Sequence, residues 1–213
     1  MMHQLFPTPV FEENVGVPEG TLSVFDSIFP WDRFETKSIS QTKQILSRLP
    51  EVQELILNQV KDWMYNALLV DPSNEIEIVR SWGVFHRQGD SCDWHSHSNA
   101  IMSGVYYIMC DEESGRLFFN KGAQFLNCFV PTLEPDVVGF TDCTAKQFTI
   151  HPEPGTLVMF PSQLVHRAEV CHSEKRLCIA FDVIVRGRIG SRHGNELEPV
   201  SYTHLTLPTN REV

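Results

Sequence analysis

The chain has no Cys-x-x-Cys pair, no run of Lys or Arg, and no apolar stretch near the ~18 residues of a membrane span. Each absence narrows the function. Six cysteines (Cys92, Cys110, Cys128, Cys143, Cys171, Cys178) are scattered, whereas a zinc–thiolate site needs close clustering. They read instead as reduced thiols of a cytoplasmic protein. The opening Met1-Met2-His3-Gln4-Leu5-Phe6-Pro7 lacks the basic and apolar regions of a signal peptide, so none is expected. With 27 acidic against 17 basic residues the net charge is −10. That balance, without a basic stripe, argues against a nucleic-acid partner.

What is present suits a soluble globular protein. The chain is 213 residues long, 42% hydrophobic and 21% charged, enough for one sizeable core. Residues 1 to about 37 read as irregular, with Leu5–Phe11 extended and rich in proline. Val52, Ile56, Val60, Trp63 and Ala67 then recur at helical spacing, with Pro50 in the first turn and Asp71-Pro72 as the stop. A shorter helix is expected at Ser40–Arg48. Beyond Glu75 come seven candidate strands: Ile76–Arg87, Ala100–Cys110, Gly115–Phe119, Lys146–His151, Thr156–Phe160, Val165–Val170 and Arg176–Val185. Turns such as Gly89-Asp90 and Pro152-Glu153-Pro154-Gly155 separate them.

This pattern predicts a mainly β fold, a sandwich or jelly roll with N-terminal helices packed outside. A single domain is expected over 1–187, with the helical region at about 38–71 and the barrel at about 75–187. Lys121–Cys143 reads as an insert beside the barrel mouth. Residues 188–213 form a polar tail whose last 13 residues match no period of the body and read as artefactual.

Two histidines one residue apart, in Trp94-His95-Ser96-His97, are answered much later by His166, and Arg176 follows ten positions on. In a strand, side chains at i and i+2 share a face. His95 and His97 therefore aim at one point, and His166 from a distant strand closes a facial metal set. Imidazole suits iron, zinc, copper or nickel, and three ligands on one face leave positions open for water, substrate or dioxygen. His86, His151 and His172 sit singly near strand ends and read as ordinary surface or core residues. His193 and His204 read as spectators.

Arg176 opens the apolar run Leu177–Phe181, where a strand should be buried. A buried guanidinium needs an anion, from the protein or from a dicarboxylate ligand. Tyr107 lies four residues past Ser103 on the same strand face, placed either to reach such a ligand or to pack the core. Asp90 and Asp93 flank the histidine pair and could orient an imidazole or simply charge a turn. Trp82 and Trp94 read as packing residues.

The order His-x-His, Ser103-Gly104-Val105-Tyr106-Tyr107, Pro154-Gly155-Thr156-Leu157-Val158-Met159-Phe160-Pro161-Ser162 leading to His166, then Arg176, resembles the iron(II)- and 2-oxoglutarate-dependent oxygenase superfamily. The resemblance runs from Leu5 to about Val185 and is closest to a group common in phage and marine bacteria. It implies a double-stranded β-helix, or jelly roll. It also implies iron(II) on His95, His97 and His166, and 2-oxoglutarate held by Arg176 with Tyr107 nearby. The implied reaction consumes dioxygen and hydroxylates a further substrate, releasing succinate and carbon dioxide. His97 departs from the superfamily at large, which has a carboxylate there. Three neutral imidazoles leave the metal at +2, where a carboxylate would give +1.

Two rival readings stay open at this point. Gly89, His95, His97, Gly155, Pro161 and His166 are similar in spacing to a cupin, a metal-binding jelly roll that does not use 2-oxoglutarate. Gln163 stands where that motif has glycine, and Ile101-Met102 where it has glutamate. The other rival is a non-catalytic binding or structural jelly roll.

Overall fold

The computed structural model describes residues 7–27, 31–120, 135–141, 144–187 and 190. In chain order these form β1 (Phe11–Asn14), α1 (Thr21–Ser27), β2 (Trp31–Phe34), β3 (Lys37–Ser40), a 3-10 turn (Ile45–Arg48), α2 (Pro50–Asp62) and β4 (Glu75–Arg87). There follow β5 (Cys92–His95), β6 (Met102–Met109), β7 (Leu117–Asn120), β8 (Gln147–Ile150), β9 (Thr156–Pro161), β10 (Val165–Ala168) and β11 (Lys175–Arg186).

All seven strands predicted beyond Glu75 are present, within a few residues of the expected ends. They make two antiparallel sheets: a seven-stranded one ordered β1-β9-β6-β11-β4-β3-β2, and a four-stranded one ordered β5-β10-β7-β8. The fold is the expected jelly roll.

Strand alternation sorts the residues of the large sheet into two layers. On one face Met102, Tyr106, Ile108, Ile179 and Phe181 pack against Val52, Ile56 and Val60 of α2. Burying each such side chain contributes about 1.5–3 kcal/mol, which holds the helix to the sheet. On the other face Val84, Val105, Tyr107 and Cys178 meet Leu117, Phe119 and Ile150 of the small sheet. The site opens from this second layer. Packing across the sheet is tight at Gly104, where a Cβ would stand 2.2 Å from the Phe181 ring.

Three expectations need correction. The first 37 residues are not irregular throughout, since β1, α1 and β2 lie there. β1 is a polar Phe-Glu-Glu-Asn segment that β9 recruits through backbone pairing, so no apolar alternation announces it. The helix expected at Ser40–Arg48 is only the 3-10 turn, because Ser40 closes β3 and its hydroxyl is spent on the Thr42 carbonyl and the Gly83 amide. The stripe of α2 fails at Ala67. Residues Trp63–Ala67 widen to a π-helical turn that brings Met64 inside and leaves Ala67 exposed. The Lys121–Cys143 insert and the tail fall mostly outside the described residues.

Candidate metal and 2-oxoglutarate site

His95 ends β5 and stands directly across from His166 of β10 in the antiparallel register. Directly opposed residues in such a pair come within about 5 Å at Cβ, and here the two rings approach to 4.3 Å between centroids. His97 lies two residues past the strand end rather than within it. Its backbone N–H donates to the Ser162 carbonyl at 2.8 Å, which ties it to the turn before β10. The three side chains come together as the spacing predicts, with one ligand atom of each within 4.8 Å of the others. The geometry comes from a strand pair and a pinned loop, not from one strand face.

Each ring is oriented by its Nδ1. His95 Nδ1 donates to the Asp93 carbonyl at 2.8 Å, and His166 Nδ1 donates to the Leu164 carbonyl at 2.8 Å. His97 Nδ1 donates to Asp182 Oδ1 at 2.6 Å. A carbonyl or carboxylate can only accept, so Nδ1 carries the proton and Nε2 presents its lone pair to the common point. Burial, with the adjacent imidazoles, pushes His166 down to about 3. It is therefore neutral and ready to ligate. His95 moves the other way: burial works against its charged form, but the Cys92 thiol at 3.6 Å outweighs it.

Asp182 was not singled out by sequence, and Asp90 and Asp93 were. Asp90 instead pairs bidentately with Arg33 and caps the Arg87 amide, while Asp93 contributes only its carbonyl. Asp182 is 2% exposed and accepts from His97, from Ser103 Oγ at 2.8 Å and from Arg80 Nε at 2.8 Å. Burial opposes its charged form, but these donors hold the carboxyl below its ordinary range. A shift in strand register falls between Asp182 and Val183, the kind of irregularity that re-aims side chains beside active sites.

The same strand face leads to the other end of the pocket. Arg80, Trp82, Val84 and His86 of β4 stand opposite Asp182, Ala180, Cys178 and Arg176 of β11. Arg176 is 1% exposed, and its guanidinium donates to the carbonyls of Ser114, Gly115 and Glu169. These partners are neutral, and among the described residues no carboxylate pairs with it. Beside it, His86 is buried with both ring nitrogens unpartnered among the described groups. Burial, reinforced by the Arg176 charge, pushes His86 down to about 3. Of the surface and core readings of His86, burial selects the core one, and the residue also lines the pocket. Its place opposite Arg176 follows from strand register, which the sequence does not display.

His86, Arg176, Tyr107 and Lys37 line one pocket with the three histidines. Burial raises the Tyr107 hydroxyl well above its usual range, so it stays a neutral donor. Trp82 also lines this pocket, 5.6 Å from the His97 ring. Trp94 is partly exposed under Arg167.

A family model described as "Putative 2OG-Fe(II) oxygenase" matches residues 80–182, a span holding every residue of this site except Lys37. Over that span the chain is similar to the iron(II)- and 2-oxoglutarate-dependent oxygenases. Its cofactors are iron(II) and 2-oxoglutarate, and the cupin reading is set aside. Solved oxygenase structures share the fold. A 2OG-Fe(II) family oxidoreductase from Burkholderia pseudomallei is 11% identical, with TM-score 0.53 over 82% of this chain and 83% of that one. HygX from Streptomyces hygroscopicus, solved with nickel and 2-oxoglutarate, is 12% identical, with TM-score 0.54 over 83% of this chain and 82% of its own. A Pseudomonas putida prolyl-4-hydroxylase is 11% identical, with TM-score 0.50 over 82% and 92%. No match to the chain was found among curated protein sequences.

Proposed function

We propose that this oxygenase holds iron(II) on Nε2 of His95, His97 and His166, and anchors the distal carboxylate of 2-oxoglutarate on Arg176. His86 and Tyr107 assist the anchor, and the reaction is hydroxylation of a further substrate. The observation that carries this reading is one pocket with a convergent imidazole trio at one side and, at the other, a buried guanidinium that no carboxylate among the described residues neutralises.

The residues fit both groups. Three neutral nitrogen donors suit iron(II) and leave coordination positions free. A dicarboxylate suits the far side, where among the described residues no carboxylate meets the buried Arg176 cation and the buried His86 imidazole has no side-chain partner. Bound together with dioxygen, iron(II) and 2-oxoglutarate supply the oxidising chemistry, with succinate and carbon dioxide as products.

The protein's own part is positioning and exclusion of water. The carbonyls of Asp93 and Leu164 and the carboxylate of Asp182 fix the three ring orientations. The carbonyls of Ser114, Gly115 and Glu169 hold the Arg176 fork in place before any ligand arrives. Phe160, 4.5 Å from the His166 ring, walls the inner side, backed by Phe119 at 4.9 Å. The free thiols of Cys92, Cys110, Cys171 and Cys178 support a reducing compartment, which we take to be the cytoplasm. We expect no membrane or nucleic-acid partner; among the described residues no helix is long and apolar enough to cross a bilayer.

His166→Ala tests the ligand assignment. Anaerobic equilibrium dialysis should show one iron(II) per wild-type chain and loss of stoichiometric binding in the variant. Retained one-to-one binding by the variant would remove His166 from the site.

A further inference from the structure

We propose that Asp182 is a positioning residue that returns to the iron, through His97, the negative charge that the all-histidine ligand set lacks. The inference rests on the iron site proposed above and deepens it. Three neutral imidazoles leave the metal with its full +2. The ligands' Nδ1 atoms meet the carbonyls of Asp93 and Leu164, the Cys92 sulfur at 3.6 Å, the Ser103 hydroxyl at 3.1 Å and Asp182, and of these groups Asp182 alone is a carboxylate. The contact is short, 2.6 Å, as expected of a charge-assisted hydrogen bond. Both partners are buried, with the His97 side chain 8% and that of Asp182 2% exposed, so solvent screens the charge little. A carboxylate accepting from a ligating imidazole makes the other nitrogen a stronger donor to the metal.

The rest of the network fits that role. Ser103 Oγ donates to the same carboxylate oxygen at 2.8 Å and meets Ser162 Oγ at 2.9 Å. The Ser162 carbonyl in turn accepts the His97 amide. Asp182 thus stands at the root of the contacts that set both the position and the electronics of His97. Its second oxygen takes Arg80, whose side chain is 48% exposed and lies 4.9 Å over the Trp82 ring. Arg80 opposes the charge that Asp182 sends inward, and the two residues should therefore act on the iron with opposite signs.

That opposition supplies the test. Asp182→Asn keeps the shape and an acceptor for His97 but removes the charge; Arg80→Gln removes the opposing cation from a half-exposed position. Iron(II) affinity would be measured by anaerobic titration, and the iron(III)/iron(II) midpoint potential by spectroelectrochemistry. Asp182→Asn should weaken iron(II) about ten- to hundredfold, the usual cost of losing such a partner, and should move the potential positive. Arg80→Gln should tighten iron(II) or leave it unchanged, and should move the potential negative. Two results would overturn the inference while leaving the iron site intact. One is Asp182→Asn with wild-type affinity and potential; the other is both variants moving the potential in the same direction, as a merely structural ion pair would. Should Asp182→Asn fail to fold, the Arg80→Gln potential still decides, since an unchanged or positive value refutes the proposal. Absence of iron binding in the wild-type protein would instead overturn the site reading itself.

Discussion

Metal-free protein should lose stability steeply as pH falls from neutrality to about 5, and His86 should account for much of the loss. Both His86 and His166 are held down to about 3 in the fold, in each case chiefly by burial. In the unfolded chain an imidazole titrates near 6.5. Between these values the unfolded state binds a proton that the folded state refuses. The stability these groups contribute is therefore complete above about 6.5 and is lost as pH falls towards 3. Each pH unit costs up to about 1.36 kcal/mol per group, so at pH 5 each histidine subtracts roughly 2 kcal/mol and the pair roughly 4. His95 runs in the opposite sense: its raised value favours the fold at low pH and trims that total. The depressed carboxyls of Asp90, Glu169 and Asp182 lose their contribution only below about 4, outside this window. Urea midpoints of the metal-free protein at pH 7, 6 and 5 measure the slope. His86→Gln should flatten it by about half. A flat wild-type profile, or a variant with the full slope, would refute the burial argument.

Other consequences follow from the same contacts. Arg176→Met should weaken 2-oxoglutarate by about 30-fold or more, because it removes a buried charge partner worth roughly 2–5 kcal/mol. Arg176→Lys keeps the charge but loses the planar fork and should fall between. Both should leave iron(II) affinity within about twofold, and parallel loss of metal and co-substrate in calorimetric titrations would make Arg176 structural. Gly104→Ala would place its Cβ 2.2 Å from Phe181 Cζ and 2.6 Å from the Val158 carbonyl. Overpacking of this kind costs about 1–3 kcal/mol, visible as a lowered Tm; an unchanged Tm would show that β6 and β11 have slack.

The strands beyond Glu75 are legible because β-branched and aromatic residues alternate between clear turn signals. The metal trio is legible because His-x-His and a later strand histidine are rare together. Arg176 stands out because it opens an apolar run. The residues that escape notice are those whose meaning depends on register. His86 matters because β4 and β11 align it with Arg176, and nothing local marks that pairing. Asp182 does carry a signal in hindsight: a carboxylate inside Ile179-Ala180-Phe181-Asp182-Val183-Ile184, at an even spacing from Arg176, must share its face and must be buried. Of the two readings left open for Asp90 and Asp93, Asp90 orients no imidazole because Arg33, from a distant strand, claims it, while Asp93 orients His95 through its backbone carbonyl. β1 escapes because its neighbours, not its composition, make it a strand.

The central claim is that one pocket holds iron(II) and 2-oxoglutarate together on the histidine trio and Arg176. The most direct measurement is anaerobic titration of the iron(II)-loaded protein with 2-oxoglutarate, following the weak visible charge-transfer absorption of the chelate. The account predicts a band that saturates near one equivalent in the wild type and is displaced to far higher concentration in Arg176→Met. Iron demonstrably bound with no band at any concentration of 2-oxoglutarate would contradict it.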